Sequence, residues 1–403
     1  MILVWVFAGV IALCASLVTA ELASAYPHSG GPYNYIREAF GRLAAFLFGW
    51  MKLLILSATG MAGIAIVCAE YTLRAIGQYH SDGNNPSVRY LASAALAFLG
   101  FTNYVGLKWS SLVQNITTVL KVGGLMLVVT LALVLALPHA EGHFTASPAD
   151  GFRLGAFGIA IISAQWAYSG SDNIGAVAGE VGDPKKHIAK SIWFAMLIII
   201  AVYVLANVAY LAVLSPAQMA KSPLVAADIA EYSMGRAGLV FIAATVAVST
   251  FGALNGGLLI HPRTFYAMAR DGMFFPAFGR AHPKFETPHL AVAFVTIASI
   301  TLVNIGDFEG LTGLNIIGNM PFAILAVLSL FVLRIKGDQY QPTYRVPLFP
   351  LIPIIALLLT IWLFITAARD ETAQKSVWIG LGMMALGAIV YIVFGLNQKR
   401  RTV

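Results

Sequence analysis

The chain has 403 residues, of which 59% are hydrophobic and only 11% charged, with a mean hydropathy of +0.80. A water-soluble domain carries roughly a quarter charged residues, so this composition excludes a globular protein surrounded by water. The net charge of +7 would suggest nucleic acid in a soluble protein; here the bias of Lys and Arg toward the inner side of a membrane accounts for it, and no nucleic-acid partner is implied.

In hydrocarbon every backbone polar group must be satisfied internally, which leaves helices or closed barrels as spanning elements. The apolar runs have the length a helix needs to cross ~30 Å, and alternating ten-residue strand patterns are absent. The chain therefore reads as an all-α polytopic membrane protein. In chain order eleven segments are predicted, over 2–24, 43–75, 90–106, 110–137, 154–179, 189–214, 238–262, 289–304, 313–333, 348–367 and 376–396. Their connections are short and punctuated by Pro, Gly, Asn and Asp, as in "QYHSDGNNPS" and "SPAQMAKSP". No linker bounds a soluble domain, so one membrane domain is expected over 1–403. Both cysteines, Cys14 and Cys68, fall inside apolar runs, which leaves no loop thiol for a disulfide to another subunit.

With alternating segments and "NQKRRTV" placed in the cytoplasm, 16 Lys and Arg fall inside and 7 outside, with Lys52 and Lys121 inside segments. This bias sets the C-terminus as cytoplasmic. Eleven crossings then put Met1 outside, at the head of an apolar run with no flanking charge. A signal peptide would show a basic start and a shorter core. The physical reading is a second helix whose predecessor is missing; a true eleven-helix protein is the alternative.

The segment 154–179 is interrupted. "AYSGSDN" places Ser169, Gly170, Ser171, Asp172 and Asn173 at mid-membrane depth. A polar, glycine-containing break is tolerated where it lines a cavity, and the helix ends at such a break present N–H groups to an anion and carbonyls to a cation. That pairing suits a zwitterion such as an α-amino acid; a harmless kink is the alternative. Lys121, in "TTVLKVGGLMLVV", is a costly intramembrane charge that reads as paired or functional, against the alternative of a stem that snorkels to an interface. Lys52, Glu21 and Glu70 lie nearer helix ends and read as structural. His139 and His143 in "PHAEGH" read as solvated loop residues, not a metal site. No P-loop, HExxH, GxSxG or CxxC occurs, so no enzyme chemistry, metal or cofactor is expected.

Three long stretches carry a family resemblance. "STFGALNGGLLIHPRTFYAMARDGMFFPAFGRAHPKFETP" (249–288) resembles the eighth helix and following loop of amino-acid permeases of the amino acid–polyamine–organocation superfamily. "AELASAYPHSGGPYNYIREAFG" (20–41) is similar to the second helix and first inner loop of its L-type amino-acid transporter branch, and "QWAYSGSDNIGAVAGEVGDPKKHIAKSI" (165–192) to its sixth helix. The resemblance implies a leucine-transporter-like inverted-repeat fold, with family helices 2–12 here. In that register 1–137 is the remnant of the first repeat, 151–335 the second repeat and 346–396 the last two helices. It implies a substrate site at Trp166, Ala167, Ser169, Gly170 and Asp172, with backbone carbonyls for the amino group and Trp166 as a lid. The resemblance also aligns Lys121 with a fifth-helix lysine that resembles the sodium-replacing one of sodium-independent members, and implies Asn255 as a candidate contact from family helix eight. The loop "IGQYHSDGNNPSVR" lacks the cysteine that links animal members to a heavy chain. The implied function is secondary transport of amino acids across the plasma membrane, sodium-independent, by exchange or proton coupling. Alternatives are a permease for polyamines or other amines, and a sensor-like or transport-incompetent protein.

Overall fold

The computed structural model describes residues 1–26, 30–78, 86–105, 151–170, 184–222, 224–337 and 340–393, with helical positions scattered over 117–134. Its helices are α1 (Ile2–Ala25), α2 (Pro32–Phe40), α3 (Arg42–Ala75), α4 (Pro86–Val105), α5 (Leu154–Tyr168), α6 (Pro184–Val213), α7 (Pro216–Met219), α8 (Val225–Arg270), α9 (His289–Ile305), α10 (Phe308–Ile335), α11 (Leu351–Arg369) and α12 (Gln374–Val393). No strand occurs among the described residues. Seven of these helices are long and apolar enough to cross a membrane, and α5 and α9 are shorter apolar helices. The protein is a polytopic helical membrane protein, as its composition demands.

Ten of the predicted segments coincide with described helices, while most of 110–137 lies outside the described residues. Three features differ from the predicted segments for physical reasons. The loop after α1 contains the amphipathic helix α2, which opens on Pro32 in the first helical turn and is too short and polar to register as a span. The segment predicted at 238–262 is longer at both ends. A helix over 225–234 abuts it at Gly235, whose φ of 62° and ψ of −159° interrupt the helical path. Within α3, Lys52–Leu56 form a π turn that adds a residue without breaking the helix.

Helix α3 is the innermost span: 72% of its apolar window is buried, against at most 44% in any other described span. Close approach is set by small residues, as expected where lipid provides no net hydrophobic drive. A Cβ at Gly49 would collide with the Met268 sulfur of α8, and one at Gly100 of α4 would come within 2.5 Å of Thr296 on α9. Thr117 meets Gly252, and Thr245 meets Gly124, which lays the described part of 117–134 antiparallel along α8. Two apolar cores result. One joins α3, α4, α8 and α9; the other joins α1, α5, α6 and α11. Helix α10 packs into both, through Leu311 and Phe322 on one side and Ile317, Met320 and Val327 on the other.

One end of the bundle is tied by buried charge. Glu21 on α1 is 0% exposed. Its carboxylate accepts from Arg334 Nε at 2.9 Å and Nη2 at 2.6 Å, from the Tyr340 hydroxyl at 3.2 Å and from the Val346 amide at 2.6 Å. Arg334 also lies 3.9 Å from the centre of the Phe349 ring. A second latch joins α2 to the end of α8: the Tyr33 hydroxyl donates to Asp271 at 2.9 Å, and Arg37 pairs with the same carboxylate. At the opposite end Arg74 pairs with Asp228 at 2.8 Å. Tyr340 lies outside the spans, and its phenol is held above its usual range by burial first and then by the Glu21 carboxylate.

Removing one partner of a buried pair leaves the other charge uncompensated, at a cost of about 3–5 kcal/mol. Arg334→Met is therefore expected to lower the melting temperature in detergent sharply, and Glu21→Gln combined with Arg334→Met to recover most of the loss. Arg37→Met, at a pair one-third exposed, is expected to cost less than about 1 kcal/mol. A melt in which Arg334→Met behaves like Arg37→Met would contradict this assignment.

Candidate functional site

Of the segment expected over 154–179, residues 171–179 lie outside the described residues, and the helix stops before them. Helix α5 ends at Tyr168; Ser169 is extended (φ −67°, ψ 155°) and Gly170 has φ of +106°, a conformation that favours glycine. The freed carbonyls are partly claimed. The Ser169 hydroxyl donates to the Trp166 carbonyl at 2.7 Å, and the Tyr203 hydroxyl of α6 donates to the Ala167 carbonyl at 3.0 Å. The Tyr168 hydroxyl in turn donates to the Trp5 carbonyl of α1 at 3.0 Å, within an aromatic group of Trp5, Tyr168 and Tyr203. The end of α5 is thereby fixed against α1 and α6.

A cavity of about 170 Å³ opens beside this helix end, at the seam of the two cores. Its walls come from α1, α5, α10 and α11, with Phe48 of α3 and Pro32 of α2. No described lining residue is charged. Its polar side chains are Thr19, Gln165, Tyr168, Ser169, Asn319 and Thr360. Thr19 and Thr360 donate to carbonyls of their own helices at 3.1 and 2.7 Å, and Gln165 to the Ala8 carbonyl at 3.3 Å. Asn319 differs: among the described residues its carboxamide makes no hydrogen bond. The C-terminal end of α5 carries the negative pole of its helix dipole. The cavity therefore has the negative end of α5 at one side, the Asn319 amide at another and apolar walls between.

The residues singled out in the sequence are distributed unevenly around this space. Ser169 and Gly170 line it. Trp166 does not; its ring stands edge-to-face on Phe308 of α10 at 5.3 Å, over Gly63 of α3. Ala167 contributes a backbone carbonyl already bonded to Tyr203. Asn255 is buried at 1% exposure and accepts from Asn103 of α4 at 3.0 Å, so it links α8 to α4 and does not line the cavity. Asp172 and Lys121 lie outside the described residues, as do His139 and His143. Sequence reading missed Asn319, Thr19, Gln165 and Thr360. The available signal was a pair of Asn residues four apart, Asn315 and Asn319, within "NIIGNMPFAIL". It also left the ends of α1 and α10 unconnected, where Glu21 and Arg334 meet.

Among known families, the Amino acid permease model matches residues 1–394. The chain belongs to that family. The b(0,+)-type amino acid transporter 1 of Mus musculus is 28% identical over 99% of this permease and 82% of its own length. The large neutral amino acids transporter small subunit 2 of Homo sapiens is 30% identical over 97% of this chain and 73% of its own. The serine/threonine exchanger SteT of Bacillus subtilis is 26% identical over 98% and 88% respectively. This permease is accordingly a transporter of amino acids across membranes and not an enzyme.

If the cavity beside α5 holds the substrate, its polar side chains will not contribute equally. Asn319→Leu is expected to raise the KM for amino-acid uptake about tenfold, the scale of one buried hydrogen bond lost. Thr19→Val and Thr360→Val, whose hydroxyls are committed to their own helices, are expected to change it less than about twofold. Uptake kinetics of the three purified variants in proteoliposomes decide between them.

Proposed function

We propose that this permease moves neutral amino acids across the plasma membrane by sodium-independent exchange, with its substrate held at the end of α5. The observation that carries this reading is the cavity itself, which pairs the negative end of a broken helix with an uncommitted amide and no charged described lining residue. A zwitterion satisfies both ends of such a site through backbone carbonyls and hydrogen-bond donors, and its uncharged side chain takes the apolar wall of Ile11, Met320, Phe322 and Leu363. A polyamine fits less well, because no carboxylate stands among the described lining residues to meet its second cation. Exchange is supported by a relative named as a serine/threonine exchanger. Trp166 and Ala167 belong to this site as its flank, Asp172 is assigned to it from the sequence alone, and Asn255 supports it from α8.

Coupling is assigned to Lys121, whose ammonium stands in for a sodium ion on the fourth segment. Orientation follows the charge bias: the end tied by Arg37 and Arg334 is cytoplasmic together with the C-terminus, and the Arg74 end is external. With both cysteines buried, no disulfide-linked subunit is assigned.

Purified protein in sodium-free proteoliposomes tests the reading. Preloading with L-leucine or L-serine is expected to accelerate entry of the same labelled amino acid several-fold, while L-lysine, L-glutamate and putrescine give little acceleration. Stimulation by putrescine alone would favour the polyamine reading, and a strict sodium requirement would exclude the assigned coupling. Lys121→Ala is expected to abolish uptake with folding retained on size-exclusion chromatography. Undiminished transport by that variant across pH would remove Lys121 from the mechanism.

A further inference from the structure

The π turn of α3 and the uncommitted amide of α10 are connected. A π turn widens a helix and loosens its carbonyls, and such turns inside α-helices recur at functional sites. Here the two carbonyls at its exit are both held by side chains. The Ile55 carbonyl accepts from Thr59 Oγ1 at 2.8 Å, within α3. The Leu56 carbonyl accepts from Asn315 Nδ2 of α10 at 2.6 Å, and the same nitrogen stands 3.4 Å from Thr59 Oγ1. Gly60 makes room for this bond, since a Cβ there would lie 3.0 Å from Asn315 Nδ2.

Asn315 and Asn319 are four residues apart on α10, and so share one face. Asn315 faces the π turn, and Asn319 faces the cavity. Beyond Asn319 the same two helices meet again, where Phe48 and Phe322 pack edge-to-face at 5.5 Å and both line the cavity. Asn319 is thus suspended between two α3–α10 anchors, one polar and one aromatic. An aromatic contact tolerates sliding and rotation, whereas an amide bonded to a main-chain carbonyl fixes distance and direction. The polar anchor is the one that sets the rotation of α10.

We infer that Asn315 is a positioning residue for substrate binding: by bonding the π-turn carbonyl it fixes α10 so that Asn319 presents its carboxamide to the cavity. This rests on the cavity being the substrate site, and the experiment separates the two claims. In proteoliposomes exchanging the neutral amino acids named above, Asn315→Leu and Gly60→Ala are expected to raise KM about tenfold and leave Vmax within about twofold. Asn315→Asp provides a rescue that a space-filling role would not show. Its neutral acid can donate to the Leu56 carbonyl and its carboxylate cannot, so its KM relative to wild type is expected to fall as pH is lowered from about 8 to about 5.

A second readout needs no substrate. In a Cys14→Ser, Cys68→Ser background, Asn319→Cys is labelled with a water-soluble thiol reagent, and adding Asn315→Leu is expected to change the labelling rate at least threefold. Unchanged labelling overturns the proposal whatever the kinetics. Changed labelling with an unchanged KM overturns it as a substrate-binding device, as does a loss confined to the amount of folded protein. If Asn319→Leu itself leaves KM untouched while labelling responds to Asn315→Leu, it is the substrate-site reading that falls.

Discussion

A backbone N–H or C=O left without a partner in hydrocarbon costs several kcal/mol, and the architecture of this permease follows from that requirement. Regular helix meets it without help. At two points where the helix departs from regularity, a side chain from a neighbouring helix supplies a bond. Tyr203 reaches the Ala167 carbonyl at the end of α5, and Asn315 reaches the Leu56 carbonyl at the exit of the π turn. These irregular points are therefore also the points at which helices are fixed to one another. A permease needs irregular backbone to meet a polar substrate, and the same chemistry that makes the break tolerable orients it.

Charge is handled by the same logic at higher stakes. Glu21 is fully buried and tolerated because four donors converge on it, two from Arg334 and one each from Tyr340 and Val346. A buried pair of this kind adds little net stability over apolar packing, but it specifies which ends meet. It joins α1 to α10, whose apolar faces contribute to both cores and to the cavity at their seam. The latch sets the end of that seam, and Asn315 sets its rotation. Between them no described residue brings charge to the cavity wall, and Asn319 is the one lining amide among the described residues that the protein does not use for itself.

Much of this was legible in the chain before any coordinates. Segment length and apolarity gave ten of the described helices, because a helix in lipid must be about twenty apolar residues long and little else suits that pattern. The interruption at Ser169 and Gly170 was legible too, since a serine–glycine pair in mid-span has few other uses. The amphipathic helix α2 escaped because it lies along the bundle end and never needs a membrane-length run. Asn255 reads in the sequence as a candidate contact, and only the structure shows that it accepts a hydrogen bond from Asn103.

The sequence by itself determined that the protein is a helical bundle in lipid, where its spans fall, and where one of them breaks. Those properties depend on local composition and on the cost of unsatisfied backbone, both of which are written within a single segment. Only the tertiary structure decided which polar groups are spent and which are available. Glu21 finds Arg334 at a separation of 313 residues, and Thr19, Thr360 and Asn319 look alike in sequence until their neighbours are known. A hydroxyl one turn from its own carbonyl bonds to it; an asparagine on a cavity wall that meets no partner among the described residues is available to a ligand.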